Sequence, residues 1–292
     1  MSSRESSRLK LDEVGEWSQL KIEIIGQYAH AYTSILLNNE KIRLNPIYVD
    51  GFAGAGEHNL KRTGERIEGS PLKAFAVQPP FDWFYLIDLD GGRARALQAF
   101  ANGRSNVSVE QGDCNEVLLE KVFPRILGNR LNRGLCILDP YGVHLDWEVL
   151  KQAGQSNHIE IFLNFATLDM QRNIFRKDRD KVRQVHLARM NRFWGDNSWE
   201  EIIYRKSLGL FGPMESKEAE SNREIVKAFQ KRLKDHAGFG FVPDPVPMCN
   251  STGAVLYYLF FAAPKTTGGA LGGKIVTQIF DKHRKEGSIK CR

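Results

Sequence analysis

The segment Tyr48-Val49-Asp50-Gly51-Phe52-Ala53-Gly54-Ala55-Gly56 decides the fold. A short apolar run, Pro46 to Val49, ends at an acid and then meets three glycines. Glycines at 51, 54 and 56 let the backbone turn tightly and approach a ligand closely. Three ligand classes compete for such a turn. A phosphate-binding P-loop is excluded, because no Gly-Lys-Ser/Thr follows. A dinucleotide site wants G-x-G-x-x-G opening a helix at once. Here Gly54-x-Gly56 is followed by Asn59, and Glu57 to Arg66 is charged and loop-like. The third class is S-adenosylmethionine (SAM). Asp50 favours it, because a carboxylate before the glycines repels a pyrophosphate and attracts the ammonium of a methionine moiety.

Working outward, short apolar runs alternate with helical patterns. Trp17 to Leu37 predicts a helix, with Leu20, Ile24, Tyr28, Ala31 and Ile35 stepping by three or four. Ser70-Pro71 predicts a helix through Val77, with Ser70 as N-cap. Strands are expected at Trp83–Ile87, Val107–Glu110, Leu135–Leu138 and Ile159–Phe165. Helices fall between them at Arg93–Ala101, Glu116–Leu127 and Trp147–Gln155. This alternation predicts an α/β fold with a parallel sheet covered on both faces. The stretch 168–234 predicts a basic helical insertion. Beyond it, Pro243, Pro245 and Pro247 keep the chain extended, and Val255–Ala262 predicts a strand. Gly268-Gly269 and Gly272-Gly273 flank an expected loop into a last helix, Lys274–Lys285. The whole is a seven-stranded, mostly parallel sheet with one antiparallel member. Residues 1–16 are expected to be loosely ordered, and 17–292 to form one domain.

Four strands end at or beside an acid: Asp50, Asp88, Asp113 and Asp139. Ligands of open α/β sheets lie beyond the carboxyl ends of the strands. The expected cofactor set is therefore Asp50, Gly51, Phe52, Ala53, Gly54 and Gly56, with Asp88 on ribose hydroxyls and Asp113 on an adenine amino group. Asp139-Pro140-Tyr141-Gly142 occupies the place of the D/N-P-P-Y/F segment of base amino-methyltransferases. A conjugated exocyclic amine is a poor nucleophile. Asp139 and the Pro140 carbonyl can accept its hydrogens, and an aromatic ring can stack on the base. The second proline is missing and Gly142 stands at the usual aromatic position. The stacking ring is Tyr141, Phe52 or Trp194.

The sequence resembles the three-Cys-motif partner protein family. The resemblance rests on Tyr48–Gly56, Gly69-Ser70-Pro71-Leu72, Leu86-Ile87-Asp88, Gly112-Asp113, Asp139–Gly142 and Ile161–Phe165, and covers roughly residues 17–170. It implies a Rossmann-like SAM-dependent methyltransferase fold, and a partner protein bearing a three-cysteine motif that this chain lacks.

The chain has 292 residues, 42% hydrophobic and 26% charged, which fits a folded globular protein. Its formal net charge is +6. From Gln171 to Arg192 eight basic residues face only Asp178 and Asp180. Arg172, Arg176, Arg179 and Arg183 are spaced to share one helix face and to meet a nucleic-acid backbone. No apolar run approaches the ~18 residues of a membrane helix, and the first residues carry no secretory apolar segment. The four cysteines lack metal-ligand spacing, so no metal is expected. Their usage fits free thiols in a reducing cytoplasm. The expected function is SAM-dependent methylation of a base amino group, adenine N6 foremost. The alternative is a catalytically lapsed SAM-fold module that serves the partner protein.

Overall fold

The computed structural model describes residues 11–38, 42–176, 179–204, 214–289 and 291, with side chains of the helix starting at Met214 described from residue 222. Residues 1–10 of the expected loose N-terminus lie outside the described residues, as does Lys177 of the basic window.

The central sheet contains β2 (Asn45–Asp50), β5 (Trp83–Asp88), β6 (Val107–Gln111), β7 (Asn132–Leu138), β8 (Ile159–Phe165), β9 (Val246–Cys249) and β10 (Val255–Ala262). Their spatial order is β6-β5-β2-β7-β8-β10-β9. The first five are parallel, and β10 runs antiparallel to both β8 and β9. This is a Rossmann-like α/β fold, a seven-stranded, mostly parallel sheet with the helical insertion before the last two strands. β2 lies between β5 and β7, so its turn opens at the point where the chain order reverses. That is where such sheets form a ligand crevice.

Side chains alternate across the sheet, and each face buries its own core. Tyr48, Phe84, Leu86 and Phe162 pack under α1 (Glu16–Leu37), α2 (Ser70–Phe75), α3 (Gly91–Phe100) and α11 (Thr267–Lys285). Ile47, Val49, Ile87 and Leu163 pack on the other face. That face is covered by the helical run Cys114–Leu127 (α4, a π turn and α5), by α6 (Trp147–Gln155), and by the insertion helices α8 (Gln184–Trp194), α9 (Trp199–Tyr204) and α10 (Met214–Asp235). Near-continuous burial explains why the strands are apolar runs rather than alternating patterns.

Several expectations are corrected. Glu57 to Arg66 is not simply loop: β3 (Glu57–Leu60) and β4 (Arg66–Glu68) form a hairpin, and β1 (Glu13–Val14) pairs parallel with β3. Residues 11–16 are therefore built into the fold. Gly69, not Ser70, is the N-cap of α2, because Asp50 takes the Ser70 hydroxyl. Gly268, Gly269, Gly272 and Gly273 lie within α11, which starts at Thr267 with Thr266 capping Gly269. A Cβ at Gly272 would strike the Tyr28 hydroxyl, so glycine there permits close approach of α1 and α11. Cys249 and Cys291 are not free thiols but a disulfide, with Cα atoms 5.5 Å apart. The fold returns the end of the chain to edge strand β9, a proximity that 42 residues of separation conceal. Cys114 and Cys136 are buried free thiols.

Glu160 of β8 is buried and accepts a hydrogen bond from the Tyr28 hydroxyl under α11. Burial pushes its carboxyl up to about 8 from 4.5, against the smaller opposing effect of the Tyr28 bond. Between those values the unfolded chain releases a proton that the folded chain must keep. Stability is therefore lost as pH rises from about 4.5 to 8, by an amount on the order of a few kcal/mol. Glu160→Gln should flatten this dependence, so that thermal melts of variant and wild type diverge toward pH 8. Parallel melting curves across that range would refute the assignment.

Candidate active site

The turn after β2 is held by both neighbouring strands. Gly51 N–H donates to the Ile137 carbonyl at 2.9 Å, and Ala53 N–H to the Ile87 carbonyl at 2.9 Å. Gly54 N–H donates to Asp88 Oδ2 at 2.9 Å. A Cβ at Gly51 would lie 2.7 Å from Cys114 Sγ, and Gly54 has φ +65°. These two positions require glycine for different reasons, close approach and left-handed backbone.

Asp50 is buried beneath this turn. It accepts from Ser70 Oγ at 2.6 Å, the Tyr48 hydroxyl at 3.2 Å and Phe52 N–H at 3.2 Å. Burial pushes its carboxyl up to about 6, against the lowering effect of those bonds. Asp88 also accepts from Asp90 N–H at 2.8 Å. Asp113 is exposed and caps α4 through Asn115 N–H at 2.9 Å. The three acids end adjacent strands or begin the loops beyond them, yet none lines the cavity beside the turn. Each shapes its own loop.

That cavity, about 520 Å³, is walled by Phe52, Ala53 and Gly54 on one side and by Asp139, Pro140 and Tyr141 on another. Lys21 of α1 reaches in and forms an ion pair with Asp139. Asn164 Nδ2, from β8, donates to the other Asp139 oxygen at 2.6 Å. Burial raises Asp139, but the Lys21 charge and the two bonds more than offset it and hold the carboxyl below its ordinary value. Burial likewise lowers Lys21, and Asp139 reverses this, so the ammonium stays charged. The arrangement is a fixed, ionised acceptor on a cavity wall.

Tyr141 is 64% exposed at the rim. Its hydroxyl accepts from Arg93 at 2.9 Å and donates to Asp12 at 3.2 Å, while Arg93 also pairs with Asp12 at 2.7 Å. Gly142 has φ +60°, and a Cβ there would strike Asp169. An aromatic side chain at 142 is thus sterically excluded, which accounts for the departure from the expected motif. Phe52 lines the cavity. Trp194 does not: it is buried beside Phe229, with its indole N–H on Ser198. The stacking candidates narrow to Phe52 and Tyr141.

The four arginines do not share a helix face. α7 (Thr167–Asn173) ends before Arg176, Arg179 lies in a single 3-10 turn (Arg179–Lys181), and Arg183 precedes α8. Ile174 is buried and Phe175 packs near Trp199, which breaks the helical run. Arg179 is engaged by both oxygens of Glu200. Arg172 lines the cavity.

Sequence reasoning missed Lys21, Asp12, His58 and Tyr257, all on the cavity wall. Lys21 had a signal. It stands three residues after Ser18 and four before Ile25, on the buried face of α1, where a lone cation needs a partner. His58 and Tyr257 had none, since the hairpin and the strand pairing bring them in.

No family model matches the chain, and no curated protein matches it. Solved structures similar to it include protein LPL1258 of Legionella pneumophila str. Philadelphia 1, with 11% identity over 88% of this chain and 91% of that one and a TM-score of 0.43. M. jannaschii TYW2 in complex with AdoMet has 11% identity over 85% and 75%, TM-score 0.34. Aeropyrum pernix fibrillarin with bound S-adenosyl-L-methionine has 13% over 81% and 76%, TM-score 0.35. Likenesses this distant carry no functional argument, and the fold assignment rests on strand order and direction.

Gly142→Ala should lower stability by about 1–2 kcal/mol from the left-handed backbone alone, and further through Asp169. Denaturant unfolding measures this, and an unchanged midpoint would contradict the geometry.

Proposed function

We propose that the chain is a SAM-dependent methyltransferase acting on an exocyclic amino group of a nucleic-acid base, with adenine N6 foremost. The observation that carries this reading is the ionised Asp139, followed by Pro140, facing the glycine turn across one cavity. The residues present fit SAM. The turn leaves the cavity side of Gly54 free of a side chain. Asp50 and Asp88 place negative charge beneath the turn, and Asp113 is open to solvent. Leu89, 71% exposed beside Asp88, offers an apolar face to a purine.

SAM, when bound, supplies an electrophilic methyl group. The chain's part is alignment and electrostatics. Asp139 and the Pro140 carbonyl accept the amine's hydrogens and localise its lone pair. Phe52 or Tyr141 stacks on the extruded base. Arg172 and Arg176 hold phosphates, whereas Arg179 must first leave Glu200. Kinship with the three-Cys-motif partner proteins, and with it a partner protein, belongs to the same proposal and rests on the motifs quoted above. A second reading, a catalytically lapsed module serving that partner, is favoured by the internal bonds that already engage Asp139 and the Tyr141 hydroxyl.

Transfer of labelled methyl from SAM to mixed cellular DNA, RNA and protein, with and without the partner, separates the two. The enzyme reading expects label in nucleic acid and its loss in Asp139→Ala with SAM still bound. No transfer to any polymer favours the lapsed module. Asp50→Ala should weaken SAM binding by about tenfold or more, because it removes the charge beneath the turn and the bonds that hold Phe52 and Ser70 in place. Because Asp50 takes a proton below about pH 6, wild-type affinity should fall as pH drops through 6, and Asp50→Asn should be flat there. Calorimetry that finds Asp50→Ala unaltered would remove the main support for the cofactor. Reversal of Arg172 and Arg176 to glutamate should weaken nucleic-acid binding and reduce its salt dependence. Salt-insensitive binding by the wild type would rule out a phosphate role.

A further inference from the structure

The carboxylate of Asp139 only accepts hydrogen bonds, so Asn164 must turn its amide NH2 toward it. This fixes the Asn164 carbonyl oxygen on the other branch of the amide, in the same plane as the NH2 group. There it is buried and has no partner, although Asn164 lines the cavity. The Tyr257 hydroxyl, also on the cavity wall, is likewise buried and unpartnered. A buried polar atom without a partner costs roughly 1–3 kcal/mol, and a donor on a ligand seated against this wall would relieve that cost.

Lys21 completes the constellation. Its ammonium takes one lone pair of Asp139, and the Asn164 amide takes another. Two of the four acceptor positions of the carboxylate are then still free. The Lys21 ammonium lies 5.7 Å from the centre of the Tyr257 ring, and its side chain is 12% exposed. The other charged or titratable groups around Asp139 are His58 from the hairpin, Asp50 beneath the turn and Tyr257 from β10, with Asp12, Glu13, Asp169 and Arg172 also on the cavity wall. His58 is pushed down by burial and by Lys21, so it contributes no cation at neutral pH. Lys21 is the cation in direct contact with Asp139.

We propose that Lys21 is the positioning residue that keeps Asp139 an acceptor, and that the Asn164 carbonyl is a further acceptor beside Asp139 and the Pro140 carbonyl, so that this wall selects a primary amino group over a group with fewer hydrogens. The second half rests on the amino-group reading above. A hydroxyl has one hydrogen and can satisfy only one of these acceptors, whereas an NH2 group can satisfy two. Without Lys21 the burial of Asp139 dominates. The carboxyl's titration then moves upward, toward the pH at which it would take a proton and become a donor facing the substrate's own donors.

The test has two arms on the intact protein. Carbon-13 NMR titration of aspartate carboxyls follows Asp139 in wild type, Lys21→Met and Lys21→Arg, with assignment by Asp139→Asn. Expected is a titration below the ordinary carboxylate range in wild type and Lys21→Arg, displaced upward by about 2 pH units in Lys21→Met. An unchanged midpoint in a folded Lys21→Met overturns the role of Lys21. In the second arm, adenosine and purine riboside, which lacks the amino group, are titrated against wild type and Asn164→Ala. Wild type should prefer adenosine by about tenfold, and Asn164→Ala should lose most of that preference. A preference that survives in Asn164→Ala overturns the Asn164 acceptor. If wild type holds neither nucleoside, the base substrate of the preceding section fails, while the carboxyl titration still reads Lys21 on its own.

Discussion

A single ion pair ties the site together. Lys21 comes from the first long helix and Asp139 from the end of β7, 118 residues later. Neither belongs in a partly closed cavity alone. Removing one partner of a partly buried pair leaves the other charge without compensation, a cost that water at the cavity reduces but does not abolish. The pair therefore anchors α1 over the carboxyl edge of the sheet, and α1 roofs the cavity as well as covering one face of the core. It also sets the chemistry, since an ionised carboxylate that only accepts hydrogen bonds suits a substrate that donates them.

The remaining acids serve the loops first. Asp88 takes the Gly54 amide, Asp50 takes Phe52 and Ser70, and Asp113 caps α4. These bonds build the glycine turn before any ligand arrives, so less ordering remains to oppose binding. The same logic governs Gly142. Packing of Asp169 against the loop after β7 requires a residue without a side chain there, and the aromatic rings beside the cavity in this region are Tyr141 at the rim and Phe52 in the wall.

The sheet was legible in the sequence because four of the five parallel strands are short runs closed by an acid or a glycine. Strand ends at Asp50, Asp88 and Leu138 follow that punctuation, and the antiparallel β10 follows from the prolines and the turn before it. The misses share a physical cause: they depend on contacts distant in sequence. The β3–β4 hairpin is polar because it is peripheral, so no hydrophobic period marks it. The glycines of α11 resemble a loop until Tyr28 is placed against them. Cys249 and Cys291 meet only after the tail returns to the sheet edge. In the site, Asp139 and Pro140 were legible as a motif. His58 and Tyr257 were not, because nothing local distinguishes them. The arginine spacing misled for a related reason: Ile174 and Phe175 turn inward to pack, and a regular period of charge cannot outweigh the burial of apolar side chains.

The central claim is that the glycine turn and the acids around it form the seat of a sulfonium nucleoside beside Asp139. Amide hydrogen exchange with and without SAM tests it most directly. The account predicts slowed exchange at Phe52–Gly54, at the loop after Asp88 and at the amides following Asp113, with the far, amino-terminal edge of the sheet unaltered. Slowed exchange confined to other surfaces, or none at saturating SAM, would contradict it.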